Sequence, residues 1–171
     1  MVFDARTPVV FNTACRARNA SMPTPAVAAA MATCVDANAL YTRSQSCADA
    51  VQRTVLLRDA LQKRGQEAVM WREAVHPPCE GRAMRAELAA GVYCCCMEAY
   101  VQAFDFYLRV YTNQRCPGDE SVGVALINLT TFVERAGRVG RPDRAWRRPP
   151  SMDDLAEMRR VLVEDEAASV A

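Results

Sequence analysis

Between residues 80 and 113 the apolar side chains recur every three or four positions without a gap. Met84, Leu88, Val92, Cys95, Ala99, Ala103, Phe106 and Val110 form one stripe, and Tyr93, Met97, Tyr100, Phe104, Tyr107 and Tyr111 form a second. That period belongs to a helix, not a strand. A helix that is apolar over more than half its perimeter needs cover on several sides, so the pattern calls for a bundle. The remaining strip holds Cys94, Glu98, Gln102, Asp105, Arg109 and Asn113, with Asp105 and Arg109 spaced to pair. As one element the segment would run about 50 Å, and Gly91 marks the expected bend.

The neighbouring segments carry helix boundaries of their own. Thr24-Pro25 offers a cap followed by a proline at the first helical position, and predicts a helix to about Arg43. Ser46-x-x-Asp49 resembles a capping box and predicts a second start, with Gly65 as a stop or a tolerated interruption. Gln66 to Val75 is helical by propensity and is closed by His76-Pro77-Pro78. After the Pro117-Gly118-Asp119 turn a helix is expected to about Ala136, with Val122, Leu126, Leu129 and Val133 inward. Ser151-x-x-Asp154 caps a last helix carrying Leu155, Met158 and Leu162, and the tail from Glu164 is expected to fray.

Composition fits this architecture. A chain of 171 residues, 51% hydrophobic and with a net charge of +1, holds enough apolar mass for a core of its own. It lacks the low hydrophobicity or high charge of a disordered tail and the strong basicity of a nucleic-acid domain. The expected fold is therefore an all-α, single-domain bundle of five to six helices around the long element at about 80–113. Residues 1–23 form an irregular N-terminal segment, 24–136 the bundle, 137–150 an arginine-rich arm, and 151–171 a short C-terminal helix and tail. The 20 arginines against one lysine point to a GC-rich coding genome. The start shows neither a basic region followed by an apolar stretch nor any run long enough to span a membrane, so an intracellular, cytoplasmic location is expected. Arg6, Arg16 and Arg18 near the start leave a mitochondrial location as the alternative.

Eight cysteines, at 15, 34, 47, 79, 94, 95, 96 and 116, are the main chemical resource. None forms a C-x-x-C pair. The successive thiols Cys94, Cys95 and Cys96 point about 100° apart on a helix and cannot converge on one metal. Cys95 and Cys96 are expected to be small buried hydrophobes, and Cys94, on the polar strip, a reactive thiol. His76, the sole histidine, with Cys79 and Cys116 near turns, supplies a candidate metal set that Cys34 or Cys47 would complete, although the paired short spacings of zinc sites are missing. Cys15 lies among arginines and is a candidate for lipidation. The twelve residues between Cys34 and Cys47 do not match the twin C-x9-C pattern of intermembrane-space proteins. No Gly-rich phosphate loop, nucleophile elbow or marked carboxylate pair is present, so no catalytic role and no cofactor are expected.

Charge is segregated late in the chain. Residues 135–150 hold six arginines against one aspartate, and 151–171 hold six acids against two arginines. Arg138, Arg141, Arg144, Trp146, Arg147 and Arg148 are the candidate partner-binding residues. Arginine forks with one aromatic suit an acidic protein surface, or phosphates and stacked bases. Tyr100-x-x-Ala103-x-x-x-Tyr107 resembles one helix of a tetratricopeptide unit over eight residues. No second copy follows at that family's spacing of about 34 residues, so its function is not carried over. The expected role is a non-catalytic helical subunit or adaptor acting through protein contacts, with homo-oligomers compatible. A thiol-dependent or metal-binding helical protein is the alternative, and nucleic-acid contact through the arm a third reading.

Overall fold

The computed structural model describes residues 23–136 and 150–170, and these form an all-helical bundle. Six α-helices are present among the described residues: α1 (Pro25–Ser46), α2 (Ala50–Val69), α3 (Glu80–Cys96), α4 (Tyr100–Tyr111), α5 (Glu120–Ala136) and α6 (Met152–Val170). Each of the first five packs on the next, and α6 closes over α4 and α5.

The boundaries follow local chemistry. Thr24 Oγ1 accepts from the Val27 amide at 3.3 Å and Pro25 opens α1. Ser46 is the last residue of α1, and Asp49 alone caps α2, its carboxylate accepting from Gln52 N at 2.9 Å. The expected Ser46 box is thus corrected to a single aspartate cap. Gly65 interrupts nothing. The helix runs through it into a π-helical turn at Met70–Ala74, which ends before the Pro77-Pro78 pair. At α6 the predicted capping box is complete: Ser151 N donates to Asp154 Oδ2 at 2.8 Å and Asp154 N donates to Ser151 Oγ at 3.1 Å. The tail expected to fray stays helical to Val170.

The main correction concerns the long central element, which is two helices. Helix α3 ends at Cys96, and Glu98 takes a left-handed conformation with φ of 62°. The amides of Met97 and Ala99 both turn back to the Cys94 carbonyl, at 3.0 Å each. A left-handed residue just past a helix end reverses the chain, and here it lets α4 fold back along α3. Gly91 is not the break but a crossing point: a Cβ there would lie 2.5 Å from Tyr107 Cε1. The apolar period is continuous because both halves face the same core.

That core gathers Met84 and Leu88 of α3, Phe104, Tyr107 and Val110 of α4, Leu129 of α5, and Leu155 and Met158 of α6. The Phe132 ring packs edge-on against Phe104 and tilted against Tyr107. Helix α4 has no local side-chain cap. Instead Glu166 of α6 accepts from Val101 N at 2.8 Å, placing a carboxylate at its positive end. The expected Asp105–Arg109 pair is replaced by longer-range contacts. Asp105 accepts two hydrogen bonds from Arg159, at 2.7 and 2.9 Å, and Arg109 leans over Phe106 and reaches Glu87.

Candidate functional site

Among the described residues helix α1 is seated on one side. Its inward residues Ala30, Ala37 and Ser44 are fully buried, and it packs on α2 and the π turn. A seam of small side chains lets two helix backbones approach closely, but gives little apolar area of its own. Polar bonds supply the rest. Arg64 of α2 is buried and donates to Glu67 Oε2 at 2.6 Å, to Tyr93 Oη at 3.3 Å, to Cys34 Sγ at 3.2 Å and to Asn38 Oδ1. Trp71 Nε1 donates to the other Glu67 oxygen at 3.2 Å. Tyr41 stacks on Tyr93 with centroids 4.7 Å apart. One guanidinium thus ties α1, α2 and α3 together.

Among the described residues nothing covers the outward side of α1. Ala28, Met31, Ala32, Val35 and Ala39 are exposed, Val35 to 64%. Residues 25–35 carry no charge at all. On the outward face of α2 a shallow, open groove runs beside Gly65, between Gln62, Gln66, Val69 and Met70. Single exposed apolar residues are ordinary, whereas large contiguous exposed apolar patches are a feature of contact surfaces.

The second polar cluster is structural in geometry. Arg72, on the π turn, donates to Glu80 Oε1 at 2.9 Å and to both oxygens of Glu87 at 2.9 and 2.8 Å. Asn113 donates to Glu80 Oε1 at 2.8 Å. Both carboxylates are buried, and no buried side-chain N or O among the described residues lacks a partner. Burial alone would raise the Glu80 pKa. The hydrogen bonds from Arg72 and Asn113 outweigh it and hold the carboxyl below its usual range. The two carboxylates are held by Arg72 together with Asn113 and Arg109.

The predicted site residues fall in different places. Cys94 is not on a polar strip: it is fully buried against the main core. Burial, followed by its neighbours Cys95 and Cys96, pushes its thiol up to about 12, the opposite of activation. The strip assignment failed because the turn at Met97–Ala99 puts α4 over the face that a straight helix would leave open. Cys95 and Cys96 are half-buried, with Cys95 Sγ 3.8 Å from Tyr107 Oη. His76 is exposed, Cys79 and Cys116 are half-buried, and the three are not brought together as a metal set among the described residues. Arg138, Arg141, Arg144, Trp146, Arg147 and Arg148, like Cys15, lie outside the described residues. The outer face of α1 was missed from sequence, although its charge-free run was the available signal. Comparison with known protein families, curated proteins and solved structures finds no significant match. Among the described residues no helix is long and apolar enough to cross a membrane.

Proposed function

We propose that this chain is a non-catalytic helical subunit or adaptor of a larger assembly, and that it docks through the outer face of α1. The observation that carries the reading is the uncovered strip Ala28–Met31–Ala32–Val35–Ala39 on a helix whose other side is firmly seated by Arg64. The strip already lies on a formed helix packed against α2, which lowers the ordering cost of binding. Cys34, Cys47, Cys79, Cys94, Cys96 and Cys116 are free thiols, and a reducing intracellular compartment suits them. The groups that would otherwise draw attention as chemistry are saturated by one another or buried, as with Glu87 and Cys94.

A photo-crosslinking residue at Val35, introduced in the native cell, tests this. The expected result is one or a few stoichiometric adducts at Val35, with none from the same residue at the exposed position Glu157 of α6. No adduct at Val35, or equal labelling at both positions, would overturn the reading.

A further inference from the structure

The outer face of α1 has a repeat that specifies more than contact. Ala28, Ala32, Val35, Ala39, Thr42 and Ser46 are alternately four and three residues apart, and all are exposed. Alternating steps of four and three make a seam that follows a second helix. Every member is small or β-branched and none is charged, the same chemistry that seats α1 on α2 through Ala30, Ala37 and Ser44.

Charge then selects the occupant. At about 100° per residue, Asp36 and Arg43 fall on the same edge of this seam, two helical turns apart. In two antiparallel helices related by a two-fold axis, like edges meet. Setting Ala39 beside Thr42 of the other helix brings each Asp36 near the opposite Arg43, twice over. Opposite charges on one edge make a surface complementary to itself, which a closed two-fold interface requires. Asp36 also meets Lys63 at 3.4 Å, but both side chains are exposed, and such a pair is too weak to hold Asp36 away.

We propose that α1 forms an antiparallel, two-fold interface with a second copy of this chain. The proposal rests on the docking face argued above and names its partner. One helix pair is smaller than a standard interface of about 1,200 Å² or more, so self-association is expected in the micromolar range.

Sedimentation equilibrium of the full chain from about 1 to about 100 µM tests it, with circular dichroism of each variant as the check on folding. The wild type should pass from monomer to dimer across that range. Val35→Glu should stay monomeric with its helicity and melting unchanged. Arg43→Asp should weaken the dimer at least several-fold, and adding Asp36→Arg to it should restore affinity. A wild type monomeric throughout, a dimer indifferent to Val35→Glu, or a double exchange that fails to restore each overturns the proposal. If the wild type is monomeric while Val35 still crosslinks a different protein in cells, the second copy is wrong and the docking face stands. If neither occurs, both fall.

Discussion

The two helical hairpins of this molecule are held by different means. Where α3 meets α4, large side chains interlock: Tyr107 lies over Gly91, and Phe104 and Val110 are fully buried among residues of four helices. Where α1 meets α2, the buried α1 residues are two alanines and a serine, and a buried guanidinium provides the lock. The first contact is covered further by α5 and α6. The second leaves the outward half of α1 exposed among the described residues. Aromatic packing builds a core, whereas small residues with one polar lock attach a helix that still has a face to offer.

The sharpest way to break this contrast is to remove the central knob. Phe104→Ala should cost about 3–5 kcal/mol, read as a lower denaturation midpoint with little local rescue. Arg64→Met comes next. It strands Glu67 with only the Trp71 N–H as partner, and removing one member of a buried pair costs about 3 kcal/mol or more. Trp71 fluorescence should shift, and proteolysis should begin in α1 while the α3–α6 core remains protected. A loss spread evenly over the whole chain would show that α1 is no more separable than α4.

Gly91→Ala tests the other contact. Its new methyl meets the edge of a buried ring, and overpacking of that kind costs about 1–3 kcal/mol. A neutral result would mean that α4 can slide outward, and that the α3–α4 crossing is not the tight one.

Much of the bundle was legible beforehand for a definite reason. Apolar period, the Thr24-Pro25 start and the Ser151-x-x-Asp154 box are local signals, and local physics decides them. The break at Glu98 was not legible, because a left-handed glutamate has no residue signature of the kind glycine gives. Without the break, Cys94 and Arg109 fall on a solvent strip. With it, Cys94 enters the core, while Arg109 stays exposed and reaches Glu87 from the surface. The exposed face of α1 was hidden differently. An alanine-rich helix reads as inward all round, and only the packing of α1 shows which side α2 takes.

The buried acid pair gives a smaller effect with a defined sign. Glu80 titrates below its ordinary 4.5 in the folded chain. Its contribution is therefore complete above that value and is lost as pH falls through the lower folded one. Stability curves of wild type and Glu80→Gln should lie apart at neutral pH and converge on acidification. A constant gap would mean that Glu80 titrates alike in folded and unfolded chains.

The smallest prediction has the opposite sign. Gly65 lies on the outward side of α2, and a Cβ there would meet nothing within 4 Å. Helix propensity alone favours alanine over glycine by about 0.8–1 kcal/mol, so Gly65→Ala should raise the melting temperature of the isolated chain by a few degrees. Paired with Gly91→Ala, it asks the same chemical question at two helices and expects opposite answers. The open groove beside Gly65 adds a further discrimination. If binding uses α1 alone, the methyl leaves self-association and partner crosslinking unchanged while the protein gains stability. If the variant is more stable but binds less, the contact surface extends across α2, and the glycine is there for the close approach of another chain.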